Sequence, residues 1–262
     1  MHDVRLPDPA GAGNENASHC AVAVMAKAPR PGCAKTRLTP PLAPEQAAAL
    51  SAAFLRDTTE NIVAAGQSAP IHAWAAFAPA GSEHLFDGHL AATTQLALAD
   101  GHPEMPPQVQ GFGRCLLHAI QALLERGYAS ACVVNSDGPT LPTSYLAEAA
   151  RLLALPGDRA VLGPADDGGY YLLGLKQAHA HMFADIAWST GVVAAQTIAR
   201  AGEIGLELVT LPVWYDVDDA AALERLVAEL ASPPAASAPF AAPATRACLQ
   251  RLGLFADTAM TR

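Results

Sequence analysis

The sequence predicts an α/β fold, a mostly parallel sheet flanked by helices. Three observations carry that prediction. Apolar runs of strand length alternate with longer segments of helical spacing from residue 20 to about residue 230. The connections between them are short, as layered α/β domains require. No internal repeat interrupts the alternation.

Each element has its own signal. The run CAVAVMA from Cys20 reads as a buried strand, and a basic loop rich in Pro and Gly follows it, KAPRPGCAKTRLTP. Pro44 to Ala65 reads as a helix, with Pro44 and Glu45 in its first turn and Gly66 just past its end. Ile71 to Phe77 and Thr94 to Leu98 read as strands, and residues 99–110, with three prolines, as loop. Phe112 to Arg126 has helical spacing and stops at Gly127. Ala131 to Val134 then runs as a strand into Asn135-Ser136-Asp137-Gly138-Pro139, and Pro142 starts a helix reaching about Leu155. Arg159 to Leu162 and YYLLGL read as strands on either side of Asp166-Asp167-Gly168-Gly169. A helix over Gly191 to Ala201, a strand over Leu206 to Leu211 and a last helix from the DVDD segment to Leu230 complete the alternation.

Residues 19–230 are therefore expected to form one domain. The first 18 residues are polar, lack the apolar stretch of a signal peptide and read as a disordered tail. Residues 231–244 have the Pro/Ala/Ser composition of a linker, which leaves Thr245 to Leu254 as at most an appended helix. The first ~18 and last ~20 residues are accordingly expected to be dispensable.

Composition narrows the function classes. With 51% hydrophobic residues the chain can bury a sizeable core. Asp and Glu number 25 against 16 Lys and Arg, a formal charge of -9, which argues against a nucleic-acid or anionic-membrane surface. No run approaches the ~18 apolar residues of a transmembrane helix. Five scattered cysteines without a CxxC pair read as reduced thiols of a cytoplasmic protein. The oligomeric state stays open.

Four segments carry chemistry. The basic loop places Lys27, Arg30, Lys35 and Arg37 within eleven residues, in a chain with only 16 such residues. Its Gly and Pro residues, Gly32 among them, leave backbone N–H groups free for an anion, and Lys35 and Arg37 suit a diphosphate. A Walker A loop is excluded, because Ala34 and Pro29 stand where that motif needs glycine. Asp137, just beyond a buried strand and fixed by Gly138-Pro139, suits Mg²⁺ or Mn²⁺, a hard cation that takes carboxylate and phosphate oxygens. Asp166-Asp167-Gly168-Gly169 is either an ordinary hairpin turn or a place where substrate approaches the backbone closely. Tyr170 and Tyr171 after it lie on opposite faces, so one at most meets a ligand. Asp216 and Asp218 share one side of an extended segment and can point at one metal, while Asp218 or Asp219 can equally cap the next helix. Ser189 or Thr190 reads as a helix cap, Trp188 as core, and His179 and His181 as lying outside any metal site.

The string AVMAKAPRPGCAKTRL, then NSDGPTLP, GPADDGGYYLLGL, the Trp188-Ser189-Thr190 step and YDVDDAAALERL resembles the family called domain of unknown function 2064. Its members are described as glycosyltransferase-like proteins of the nucleotide-diphospho-sugar transferase superfamily. The resemblance covers about residues 20–230. It implies a GT-A-type sheet, a basic loop near the nucleotide phosphates, and Asp137 in the place of the metal-binding aspartate. The architecture is also similar to that of 2-phospho-lactate guanylyltransferases and molybdenum-cofactor nucleotidyltransferases, which pair an early Lys-x-Arg-Leu with a late Asp-x-Asp. The chain departs from the family pattern at Cys33, at Asp219 where Thr is common, and at Gly111-Phe112-Gly113-Arg114, where Asp-Leu-Gly-x-Arg is usual.

The expected activity is glycosyl transfer from a nucleotide-diphosphate sugar to a small-molecule acceptor, assisted by Mg²⁺ or Mn²⁺. Lys35 and Arg37, with Lys27, Gly32, Gly168, Gly169 and Tyr170, are the candidate nucleotide contacts. Asp137, Asp216 and Asp218 are the candidate metal ligands. Asp137 and an aspartate of the pair Asp166 and Asp167 are the candidate catalytic residues. The alternatives are nucleotidyl transfer from an NTP with release of pyrophosphate, and a non-catalytic nucleotide-binding module.

Overall fold

A computed structural model describes residues 16–101, 104–232 and 239–255 of the chain. Seven strands form one sheet: β1 (Cys20–Ala26), β2 (Ile71–Phe77), β3 (Gln95–Leu98), β4 (Ser130–Val134), β5 (Arg159–Pro164), β6 (Tyr170–Leu175) and β7 (Glu207–Thr210). Their order is β3-β2-β1-β4-β6-β5-β7, and every strand except β6 runs in the same direction. The mostly parallel α/β sheet expected from the sequence is thus observed. β1 lies inside the sheet, which explains its unbroken apolar run: strands covered on both faces have no polar side.

Helices cover both faces. Val22 and Val24 point to the side packed by α1 (Pro44–Ala65) and α3 (Thr143–Ala154), through Leu55, Ile62, Leu146 and Leu153. Ala21 and Ala23 point to the other side, under α2 (Phe112–Leu124) and α4 (Val193–Glu203), through Leu116, Ile120 and Leu123. The period of two along the strand produces this division. Each buried Val, Leu or Ile among them contributes roughly 1.5–3 kcal/mol by leaving water.

The turn Asp166-Asp167-Gly168-Gly169 closes the β5–β6 hairpin, and Gly168 takes the left-handed conformation there, φ 88. Because β6 is antiparallel to its neighbours, its start lies at the edge where the parallel strands end. That reversal brings the hairpin turn to the same edge as the loops after β1 and β4.

Two local expectations change. Neither Ser189 nor Thr190 caps α4: Ser189 has φ 64, the Thr190 hydroxyl donates to the Ala187 carbonyl at 2.6 Å, and Val192 stands at the cap. The C-terminal segment is not peripheral. Helix α6 (Pro243–Arg251) packs on α1 and on α5 (Ala220–Ala231) in a cluster containing Leu50, Phe54, Leu226, Cys248 and Leu249. Asp57 of α1, fully buried, accepts the backbone N–H groups of Ala244 and Thr245 at 3.0 and 2.6 Å. The expected dispensability of the last residues therefore gives way, for α6, to a docked helix whose apolar residues are too few to register as an amphipathic stripe. At the other end, residues 1–15 lie outside the described residues. Asn16–Ser18 form a 3-10 turn, and the Asn16 amide donates to the Arg126 carbonyl at 3.0 Å. Among the described residues no helix is long and apolar enough to cross a membrane.

Candidate active site

The four chemically loaded segments meet at the C-terminal edge of the sheet. After β4, Asn135-Ser136-Asp137 leaves the sheet and Gly138 turns beneath the 215–216 backbone, where a Cβ would stand 3.2 Å from the Tyr215 carbonyl oxygen. The Val217 N–H donates to the Asp137 carbonyl at 2.8 Å, and the Asp166 N–H donates to that of Trp214 at 3.0 Å. These two bonds stitch the 214–218 segment between the β4 loop and the hairpin turn. Asp137, Asp167, Asp216 and Asp218 are thereby gathered from three separate stretches of chain.

Asp219 caps α5, its carboxylate accepting the Ala222 N–H at 2.9 Å, so Asp218 is left for the site. Asp216 accepts from the Asn135 amide at 2.7 Å. Its carboxyl is pushed up to about 7, first by burial and then by the charges of Asp137, Asp218 and Asp167, with the Asn135 hydrogen bond opposing. Burial disfavours the charged carboxylate, and the neighbouring carboxylates add to that effect.

Lys35 supplies one cation. Its backbone is left-handed, φ 50 and ψ 41, and its side chain is only 5% exposed. The ammonium lies 2.6 Å from Asp137 Oδ1, 3.0 Å from Asp218 Oδ1 and 2.8 Å from the Val217 carbonyl. Arg37 pairs with the second oxygen of Asp218 and is 70% exposed. Lys27 and Gly32 are exposed on the same loop. A cavity of about 310 Å³ opens beside these groups, lined among others by Arg37, Asp166, Asp167, Asp216, Asp218 and Arg225. A larger one, about 450 Å³ beside Asp158, His179 and His181, lies at the opposite edge of the sheet and holds none of the predicted site residues.

The hairpin aspartates divide their duties. Asp166 pairs with Arg225 at 2.7 Å, while Asp167 accepts the Gly169 N–H at 2.8 Å through Oδ1. Gly168 leaves no room for a side chain, since its Cβ would fall 2.0 Å from the Gly191 carbonyl oxygen. Tyr170 and Tyr171 do face opposite sides of the sheet. The Tyr170 hydroxyl is buried and has no partner among the described residues, its pKa raised by burial; it lies beside Trp188, and the residue does not line the cavity. Trp188 packs over Gly113, whose Cβ would meet its ring at 2.8 Å.

Two neighbours of the site were missed in the sequence. Asn135 orients Asp216, and Arg225 lies 3.7 Å over the Tyr215 ring while holding Asp166. Both fall inside segments already singled out, but their roles depend on pairing across 81 and 59 residues, which spacing does not reveal.

Mg²⁺ or Mn²⁺ fits the donor chemistry, since the carboxylates are hard oxygen donors. Among the described residues, however, no three His, Cys, Asp or Glu side chains form a ready-made metal-binding group. Asp137 and Asp218 are held around the Lys35 ammonium instead.

The fold and this edge site define an α/β protein of the nucleotide-diphospho-sugar transferase-like class. A crystal structure from Desulfovibrio desulfuricans G20, described as a "putative nucleotide-diphospho-sugar transferase", is 25% identical, with a TM-score of 0.71 over 92% of this chain and 100% of that one. CMP:2-keto-3-deoxy-manno-octonic acid synthetase complexed with CTP is 10% identical (TM-score 0.49, 80% of this chain, 97% of that one). Rv0371c from Mycobacterium tuberculosis H37Rv is 14% identical (TM-score 0.46, 80% and 98%). A search among curated proteins finds no match. The family model described as "Uncharacterized protein conserved in bacteria (DUF2064)" matches residues 61–190. Over those residues the chain is similar to that family.

Proposed function

We propose that this protein is a nucleotide-utilising transferase, and specifically that it moves a glycosyl group from a nucleotide-diphosphate sugar to a small acceptor with the help of Mg²⁺ or Mn²⁺. One observation carries the reading: Lys35 and Arg37 from the loop after β1 meet Asp137, Asp216 and Asp218 at the C-terminal edge of the sheet. Open α/β sheets bind their ligands at that edge. The likeness to the Desulfovibrio protein supports the same class.

Asp137, Asp216 and Asp218 would hold the metal, with Asn135 keeping Asp216 in orientation. The metal, when bound, supplies charge stabilisation to the departing diphosphate. Arg37 and Lys27, both exposed on the basic loop, bind phosphate oxygens as point contacts, whereas the N–H groups of Cys33 and Ala34 beside Gly32 are taken by the Arg30 carbonyl. Asp167 lines the cavity and accepts the proton of the acceptor hydroxyl. Asp166, fixed by Arg225, positions the hairpin turn rather than reacting.

The test is product identity. Phosphorus NMR of the protein with Mn²⁺ and a panel of nucleotide-diphosphate sugars should show nucleoside diphosphate appearing by slow hydrolysis even without the true acceptor. The rate should fall on the order of 10²-fold or more in Lys35→Ala, because phosphate charge in the transition state then lacks its ammonium. Pyrophosphate released from NTPs, with the sugar nucleotides inert, would replace this reading by nucleotidyl transfer.

A further inference from the structure

The Lys35 ammonium stands where a metal would be expected. It donates hydrogen bonds to Asp218 Oδ1 and the Val217 carbonyl and is ion-paired with Asp137 Oδ1 at 2.6 Å. The side chain is nearly sealed from water, and the Phe54 ring lies 5.4 Å below the charge. Thus the residue best placed by sequence to grip phosphate is committed to the two carboxylates best placed to bind a divalent cation.

We infer that Lys35 is the resident counter-cation of this carboxylate cluster, and that a divalent metal and a diphosphate enter together by exchanging partners with it. The metal takes Asp137 and Asp218; the ammonium turns to the phosphates. The deduction rests on the nucleotide-diphosphate reading above. The shared partners couple the two events. Five carboxylates (Asp166, Asp167, Asp216, Asp218, Asp219) and two cations (Arg37, Arg225) line the cavity, and the Lys35–Asp137 pair adjoins it through Asp218. A diphosphate alone meets excess negative charge. A metal alone must displace a cation already bonded to both of its ligands and leave that cation buried without a partner, which is costly. Together, the metal takes the two carboxylates and the diphosphate receives the released ammonium. Coupling of this kind is reciprocal, so each ligand must tighten the other by the same factor.

The experiment uses the full chain and Mn²⁺, with free ion read by electron paramagnetic resonance, alone and with ADP, CDP, GDP or UDP. In the wild type, Mn²⁺ alone should bind weakly, and the preferred nucleoside diphosphate should tighten it at least 10-fold. In Lys35→Met, which keeps the stem on Phe54, Mn²⁺ alone should bind at least 10-fold more tightly, and the nucleotide should add little. Unchanged or weaker Mn²⁺ binding by a folded Lys35→Met overturns the exchange. A second readout needs no variant: saturating Mn²⁺ should raise acetylation of Lys35 by an N-hydroxysuccinimide acetate reagent, followed by mass spectrometry. Continued protection of Lys35 at saturation also overturns it. If no nucleotide binds under any condition while both metal results hold, the transferase reading fails and the exchange of Lys35 for metal stands.

Discussion

At the scale of single residues, the site is a set of charges whose positions come from backbone bonds rather than from side-chain packing. Asp137 is a third exposed, and its Oδ1 meets the Lys35 ammonium and the Ser136 hydroxyl, contacts that an amide oxygen can still accept. Asp137→Asn should therefore leave the melting temperature within a few degrees of wild type while abolishing Mn²⁺ binding by electron paramagnetic resonance. Loss of folding with Mn²⁺ affinity retained would make Asp137 a turn former instead. Gly168 is the opposite case, a residue with no charge and no freedom. A methyl group there would meet the Gly191 carbonyl oxygen at 2.0 Å, on a backbone of φ 88 that side chains rarely adopt. Gly168→Ala should cost about 2–4 kcal/mol, combining left-handed strain with overpacking. Urea denaturation measures the loss, and a change under about 1 kcal/mol would mean that the 187–191 loop simply moves aside.

At the scale of elements, α6 shows what the sequence hid. Its apolar contribution is small, mainly Cys248 and Leu249, and a Pro/Ala/Ser stretch precedes it, so composition reads it as an appendage. Its docking depends on a long-range contact: Asp57 receives the first N–H groups of α6, which otherwise have no intrahelical acceptor. Removing residues 243–262 should lower stability by several kcal/mol, since Leu249 alone is worth about 2–5 kcal/mol when truncated. A deletion variant melting within a degree or two of wild type would restore the linker reading. Asp57 also gives α6 a pH signature. Burial raises its carboxyl above the ordinary 3.8, against the opposing hydrogen bonds from Thr245 and Ala244. The folded chain keeps this proton to higher pH than the unfolded chain, so its contribution to stability falls as pH rises from 3.8 through the raised folded value and is flat beyond. Asp57→Asn cannot titrate. The difference in urea midpoint between wild type and Asp57→Asn should change in that window and nowhere above it, and a constant difference would show that Asp57 does not titrate abnormally.

At the scale of the whole molecule, the sheet, its helices and the convergence of motifs were legible because each rests on local rules: continuous apolar runs for two-sided strands, Gly and Pro punctuation, and loops that must gather where parallel strands end. The antiparallel insertion of β6 was foreshadowed by Asp-Gly at the hairpin turn, but its place between β4 and β5 is a matter of register that no local signal encodes. The partner of Lys35 was likewise illegible, since Asp137 and Asp218 lie 102 and 183 residues away. Overall charge then shapes how ligands arrive. A chain of net charge -9 repels a free nucleotide, so binding must be local and must import positive charge. In a thermal-shift screen, Mn²⁺ alone and sugar nucleotides alone should each move the melting temperature little, and the pair should move it strongly. Ligand at ~100 times its dissociation constant adds about 2.7 kcal/mol, which for a domain of this size is roughly 5–10 °C. Raising salt toward 1 M, where the Debye length is about 3 Å, should erode the shift less than for a surface site, because Lys35 and Asp216 are shielded from water. A full shift from nucleotide without metal would place the positive charge for the phosphates in Arg37 and the basic loop alone, and would remove the metal from the reaction.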